Sequence, residues 1–364
     1  MNDNIYPALQ LTDACNKRCR VCLRVPGEKV HHLTHETFTH YLEDLERVST
    51  VYTIGFQFVT GGEPTIWKDG SMDVTDIFSA LSRLGKIRSI TMPTNGKRLE
   101  NAAFAEDFLG KISRGVDHTV IIGLSIAEYQ ENLIEGSCKA LDHLMAQTKK
   151  PGNKIMPVAL VTLFKQDDTD QILKKYYPEV FQRVTPLAPM GAGEKEMDEC
   201  PSLSLSGSDK SGLGSFFPYF QRDVTSRLKI KDEEFADMPN REIMNRLSLF
   251  AHCGRSPFID NTWHYCLPFR ENPDFDLAPV GAMKETTLDS FLEKKIFLQR
   301  IRRIGVLGAV ESYRDKLTHE TRDKLDHMLG PDHHVSIAYR GCMICKELTN
   351  LGVWDEIGKM GKKG

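Results

Sequence analysis

The sequence predicts an α/β protein, a partial (β/α)6 parallel barrel with a smaller C-terminal domain, and three observations lead there. Six apolar runs of strand length alternate with amphipathic helical patterns over about the first 190 residues, the signature of repeated βαβ units and a parallel sheet. Unusual residues stand at the ends of these runs, where parallel barrels keep their functional groups. They are a cysteine loop after the first run, Gly-Gly-Glu-Pro after the second, Thr-Asn-Gly after the third and a serine at the end of the fourth. Near residue 194 the composition turns rich in Ser, Gly and charge, and a second region with its own cysteines follows. At roughly 150 residues per domain, 364 residues make two domains or one large barrel with an appendage. Six units in this length suit an open six-stranded barrel better than a closed eight-stranded one.

Residues 6–12 (YPALQLT) form the first expected strand and run into the cysteine loop. Thr34 has the chemistry of an N-cap, and Phe38, Tyr41, Leu42 and Leu45 repeat on one face of the helix that it opens. Residues 52–59 form the second strand, and the helix across VTDIFSALSRLG is expected to stop at Gly85. Strands three to six fall at 87–96, 118–126, 154–163 and 181–189, the last followed by MGAG. The expected divisions are a barrel at 1–195, a linker or lid at 196–240, a second domain at 241–350 and a tail at 351–364. In the second domain, helices are expected at 241–250, at 287–301 with Leu288, Phe291, Leu292 and Ile296 on one side, and at 311–329, stopping at Gly330-Pro331. The closing GKMGKKG reads as a frayed basic tail.

Apolar residues at 40% and charged residues at 27% are ordinary for a soluble globular chain. A formal charge of −3 leaves no cationic footprint, which argues against nucleic acid or an anionic membrane as the main partner. No run approaches the roughly 18 apolar residues of a membrane span. The opening MNDNIYPALQ lacks the basic and apolar regions of a secretory signal. The expected compartment is cytoplasmic, where thiols stay reduced. Nine cysteines there read as metal ligands or as chemistry rather than as disulfides.

Cys15, Cys19 and Cys22 lie in one short loop. Thiolates are the usual ligands of iron–sulfur clusters, and a cubane normally takes four. Three can grip three corners and leave one iron open, as a catalytic zinc keeps an open position. The spacing leaves two alternatives standing, a zinc site with a distant fourth ligand and plain surface thiols. In TGGEPT, Gly61 and Gly62 let a ligand approach the backbone, Glu63 can accept from an ammonium group and Pro64 stiffens the turn. A simple tight turn would look the same.

Taken together, C-x3-C-x2-C after the first strand and GGEP after the second resemble the radical S-adenosylmethionine (radical SAM) superfamily, over about residues 5–195. The resemblance implies that Cys15, Cys19 and Cys22 hold a 4Fe–4S cluster. Its open iron would chelate the amino and carboxylate groups of S-adenosyl-L-methionine. It implies that Gly61, Gly62 and Glu63, beside Pro64, receive the amino group. Thr94, Asn95, Ser125 and the PMGAG turn with Gly191 and Gly193 would supply ribose, carboxylate and adenine contacts. The implied activity is reductive cleavage of S-adenosylmethionine to methionine and a 5′-deoxyadenosyl radical that abstracts a substrate hydrogen, the hard chemistry belonging to the cofactor. Where the family has an aromatic residue before the third cysteine, this chain has Val21, which keeps an apolar contact beside the adenine without stacking.

Cys253, Cys266, Cys342 and Cys345, spaced C-x12-C and then C-x2-C, resemble the auxiliary-cluster domains called SPASM and twitch. A full SPASM array needs more cysteines than remain, so the single-cluster twitch form is expected, although DNTWHYC lacks the glycine usual before the second cysteine. A structural zinc is the alternative, because C-x2-C halves are common zinc ligands. Cys138 and Cys200 read as small apolar or solvent-facing thiols. The sharper reading is a hydrogen-atom donor to a substrate radical, with Cys200 in the linker the better placed. His31, His32 and His264 could act as bases or substrate contacts, or simply pack in loops.

Enzymes with this resemblance mostly modify ribosomally made peptides by crosslinking, oxidation or epimerisation. That is the expected reaction here, with oxidation of a small polyol, aminosugar or other metabolite as the second reading. The first strand begins at about residue 6, so a peptide substrate calls for a separate leader-recognition protein. The implied electron donor is a flavodoxin or ferredoxin. From another class, a non-catalytic iron–sulfur or zinc-binding protein fits the cysteines alone, but such a carrier needs neither GGEP nor Thr-Asn-Gly.

Overall fold

The structure is a computed structural model of the chain. It describes residues 4–5, 7–19, 22, 30, 32–50, 53–126, 133–163, 169–186, 221, 225, 228–238, 242, 256–257, 263–264, 304, 306–328, 348, 351–353 and 356–357. The strands are β1 (Asn4–Ile5), β2 (Ala8–Gln10), β3 (Thr53–Ile54), β4 (Gln57–Thr60), β5 (Lys68–Asp69), β6 (Met72–Asp73), β7 (Ser89–Thr94), β8 (Thr119–Ile126), β9 (Ile155–Leu163), β10 (Phe181–Pro186), β11 (Ser256–Pro257) and β12 (Trp263–His264). The helices are α1 (His35–Val48), α2 (Val74–Ser82), α3 (Ala102–Gly115), α4 (Leu133–Thr148), α5 (Thr169–Tyr176), α6 (Asp232–Asp237) and α7 (His319–Met328).

Six strands make the main sheet in the order β10-β9-β8-β7-β4-β2, and every pair is parallel. This is chain order, so each crossover leads to the adjacent strand, as in a partial (β/α)6 barrel. Alternation along β8 shows how the layers form. Val120, Ile122, Leu124 and Ile126 belong to the buried core, while Ile121 and Ser125 on the other face are partly exposed. Leu124 and Ala140 of α4 both border Gly96, which puts Leu124 on the helix side. Ser125 therefore stands on the concave face.

Local chemistry sets the element ends. Thr34 caps α1, its side chain accepting from Thr37 N, and Phe38, Tyr41 and Leu45 are buried with Leu42 packed beside them, as the periodicity predicts. A capping box of Asp73 and Asp76 opens α2. That helix ends at Ser82 with Arg83 as its C-cap, so Gly85 lies beyond the stop assigned to it. The first expected strand holds β2 alone, with β1 just ahead of it, and the second is split into β3 and β4. Pro7 offers no N–H to a ladder, and β1 pairs with β3 separately from β2 with β4. The Pro7 carbonyl still accepts from Phe58 N at 2.9 Å, which ties the two pieces together.

Beyond the barrel, three expected segments take a different form among the described residues. The segment 196–240, expected as a linker or lid, contains α6, whose Phe235 is fully buried in the core cluster. The tail expected at 351–364 begins with packed residues. Val353 and Ile357 are buried, and Glu356 accepts from Thr318 N at 2.8 Å. The helix expected at 311–329 is observed as a 3-10 turn at Arg314–Lys316 and then α7. The helices expected at 241–250 and 287–301 and the Gly330-Pro331 stop lie outside the described residues. Among the described residues, no helix is long and apolar enough to cross a membrane.

Candidate active site

The site is built where β2, β4 and β7 end. After Gln10 the chain turns through Thr12, which forms an antiparallel bridge with His32, and the Thr12 hydroxyl lies 3.0 Å from His32 Nδ1. Leu33 N donates to Leu11 O, and the buried Trp67 indole donates to Leu33 O. The segment returning from the cysteine loop is thereby pinned at its base, and His32 serves as that tie.

The glycines of GGEP lie flush on the start of the cysteine loop. Gly62 N donates to Thr12 O at 2.6 Å and Glu63 N to Ala14 O at 2.8 Å. Gly61 has a φ of 154°, and a Cβ there would sit 2.6 Å from Thr12 O. A Cβ on Gly62 would sit 2.6 Å from Asp13 O and closer still to Ala14 O, both rigid backbone atoms. Gly62→Ala is therefore expected to lose about 1–3 kcal/mol, the usual range for overpacking, and to weaken iron uptake by the loop. Thermal unfolding and iron content measure this. Gly85→Ala, with open space around the new methyl, is the control and should change neither.

The Glu63 carboxylate is turned inward, its residue only 1% exposed. Oε1 accepts from Thr65 N at 3.1 Å, Thr65 Oγ1 at 2.6 Å and Thr94 Oγ1 at 2.7 Å, and Oε2 accepts from Asn95 N at 2.8 Å. Glu63 thus caps the 3-10 turn at Pro64–Ile66 and clasps the end of β7 to the end of β4. The Thr94 hydroxyl also accepts from Gly96 N. Thr94 and Asn95, expected at a ribose or carboxylate, spend these groups inside the protein. Asn95 Oδ1 accepts from Lys97 N at 2.9 Å, which turns its Nδ2 toward Asn16 Oδ1 at 2.8 Å and Cys15 Sγ at 3.6 Å. The sequence offered one signal for this clasp, a threonine directly after GGEP, two residues past Glu63, whose N–H and hydroxyl the Glu63 carboxylate accepts.

Cys15 is exposed, and Cys19 and Cys22 are half-buried. Cys22 N donates to Cys19 O, and Lys17 N to Cys15 Sγ at 3.5 Å. Although the residue is exposed, partial desolvation of its sulfur by the surrounding loop pushes the Cys15 thiol up, with the Glu63 and Cys22 charges adding, against the hydrogen bonds from Lys17 and Asn95. Burial also pushes Cys19 up to about 11, reinforced by Cys22 and Cys15 and opposed by Lys17. Lys17, whose Nζ donates to Asn95 O at 3.3 Å, is lowered by its own burial. Cys15 and Cys19 thus resist ionising, and a bound cationic centre reverses that by holding thiolates outright. Among the described residues, no three His, Cys, Asp or Glu side chains converge on one point as ligands of a single ion. Thiolate sulfurs are the donors that iron–sulfur clusters take, and Cys15, Cys19 and Cys22 supply three of them in one loop.

Cys138 lies in α4, partly buried against the core, and its carbonyl accepts from Tyr177 Oη at 3.2 Å. The structure thus supports its packing role. His264 is in β12, opposite Ser256 of β11, and β11 lies against β2. Val21, Gly191, Gly193, Cys200, Cys253, Cys266, Cys342, Cys345 and His31 lie outside the described residues.

No family model matches the chain. Among solved structures, the crystal structure of Streptococcus suis SuiB bound to precursor peptide SuiA is similar, with a TM-score of 0.51 and 12% sequence identity. The match covers 82% of this chain and 67% of that one. At this identity the likeness shows the fold. Its span exceeds what the 195 residues of the expected barrel can account for.

Proposed function

We propose that this chain is a radical SAM enzyme that modifies a ribosomally made peptide. The observation that carries the reading is the meeting of the thiol trio with GGEP at the C-terminal mouth of a parallel partial barrel. Cys15, Cys19 and Cys22 hold three irons of a 4Fe–4S cluster. Gly61 and Gly62, lacking side chains, let the cysteine loop pack directly on their backbone and so bring the trio to the edge where the amino end of S-adenosyl-L-methionine binds. The Glu63 carboxylate supports this edge from behind through Thr65, Thr94 and Asn95. Ser125 faces the concave interior, where cofactor and substrate meet. Val21, Gly191 and Gly193 complete the cofactor pocket. When bound, the cluster and S-adenosylmethionine supply a one-electron cleavage that gives methionine and the 5′-deoxyadenosyl radical. Electrons come from a flavodoxin or ferredoxin. The similar structure, SuiB, is bound to a precursor peptide, which favours a peptide over a polyol or aminosugar, with a separate leader-recognition protein as partner.

Cys253, Cys266, Cys342 and Cys345 hold a second, fully ligated 4Fe–4S cluster. β11 and β12 pair antiparallel with Ser256 opposite His264, and in the sequence Cys253 stands three residues before β11 and Cys266 two after β12. An iron count of ~8 per chain supports two cubanes, and ~4 supports one cubane plus zinc, at four irons each. Cys342→Ala should spare 5′-deoxyadenosine release and block modified peptide; loss of both would refute a separate auxiliary role.

The test of the main reading is anaerobic reconstitution followed by dithionite, S-adenosylmethionine and a short peptide encoded beside this gene. Release of 5′-deoxyadenosine with a mass change on the peptide is expected. Release with turnover of a polyol or aminosugar instead would select the small-molecule reading. Colourless, iron-free protein with zinc on the trio would leave only the barrel.

A further inference from the structure

The geometry points to Asn95 as a positioning residue whose side-chain amide hydrogen-bonds the Cys15 thiolate and so raises the reduction potential of the cluster at the trio. The inference rests on the cluster reading given above. Three features make the bond more than a chance approach. The amide cannot turn over without losing the bond from Lys97 N to Oδ1 at 2.9 Å. Its Nδ2 reaches Asn16 Oδ1 at 2.8 Å and Cys15 Sγ at 3.6 Å, so it binds both the ligand and the residue next to it. The Asn95 backbone is itself held by the buried Glu63 carboxylate at 2.8 Å, and its carbonyl accepts from Lys17 Nζ at 3.3 Å. The end of β7 is thus fastened to the cysteine loop across about eighty residues of sequence, through side chains that GGEP alone does not predict.

Hydrogen bonds to cluster sulfurs tune potential, because they draw charge from the thiolate. A cluster that gains one electron from dithionite carries one more negative charge, so the N–H···S bond stabilises the reduced form more than the oxidised. Removing the donor therefore makes reduction harder. Asn95→Leu removes donor and acceptor at similar size. Asn95→Asp keeps an acceptor for Lys97 N, removes the donor and adds a negative charge beside Cys15.

The experiment is a dithionite titration of the reconstituted full chain, following the electron paramagnetic resonance signal that changes when S-adenosylmethionine is added. That change marks the cluster with the open iron. In Asn95→Leu the oxidised-to-reduced ratio at fixed potential should rise about tenfold, or ~59 mV for one electron, and further in Asn95→Asp. Loss of trio iron from Asn95→Asp, with the far-ultraviolet circular dichroism unchanged, also supports the proposal, since the same bond then holds Cys15 for the metal. Unchanged potentials in both iron-loaded variants overturn it and leave the cluster reading intact. If no signal in the unsubstituted protein responds to S-adenosylmethionine, the cluster reading itself fails.

Discussion

Under the proposed function, Cys19→Ala is expected to abolish 5′-deoxyadenosine release, by more than about a hundredfold, while the chain stays folded. Even the outer partners of metal ligands cost roughly 10–100-fold when removed, and Cys19 is proposed as a ligand itself. Its thiol is the member of the trio pushed up to about 11 by burial and by its two neighbours. Without it, two thiolates would leave two corners of a cube open. Among its described residues the loop contributes no strand to the main sheet, and they are fixed at Thr12, Ala14, His32 and Leu33. Substitution should therefore leave the thermal midpoint of the apo chain unchanged. Cys138→Ala is the matched control. That sulfur packs on the core in α4, so a small packing loss with full release is expected. Cleavage of S-adenosylmethionine by Cys19→Ala at the unsubstituted rate would remove the trio from the mechanism.

The barrel was legible because its strands are apolar runs whose ends carry polar punctuation. Five of the six main-sheet strands fall within the runs read for them, β4 reaches one residue past its run to Thr60, and the trio, GGEP, Thr-Asn-Gly and Ser125 stand at or near strand ends. What escaped was decided by backbone chemistry or by distant partners. The break between β1 and β2 turns on the missing N–H of Pro7. Helix α6 hides in a charged stretch, DEEFAD, because its single large apolar residue, Phe235, is the one that buries. The Ser- and Gly-rich composition ahead of it carries no trace of that contact. Glu63 is the instructive case. In the sequence it is an acid beside a glycine pair, open to a ligand. In the structure its carboxylate meets Thr94 and Asn95 from another strand, about thirty residues away. A pairing of that kind has no periodicity to betray it.

Glu63→Gln is expected to destabilise the apo chain by about 2–4 kcal/mol, although it changes neither size nor shape. The carboxylate only accepts, and it meets four donors: Thr65 N, Thr65 Oγ1, Thr94 Oγ1 and Asn95 N. An amide must place an NH2 group on one side. With its oxygen toward Thr65 and Thr94, it sets N–H against the Asn95 N–H; with its oxygen toward Asn95, it faces Thr65 N–H instead. Either way a buried backbone donor loses its partner, at about 1–3 kcal/mol, and the surviving bonds lose their charge assistance. Urea unfolding without S-adenosylmethionine separates this role from ligand binding. A carboxylate that served only to receive an ammonium group would leave apo stability within about 0.5 kcal/mol when replaced by Gln, the range typical of substitutions away from such features, and that outcome would sink the clasp. Thr94→Val provides the second arm. Because Thr94 and Glu63 share a bond, the double variant should cost less than the two single losses combined, by ~0.5–3 kcal/mol, the range for residues in one hydrogen-bond network.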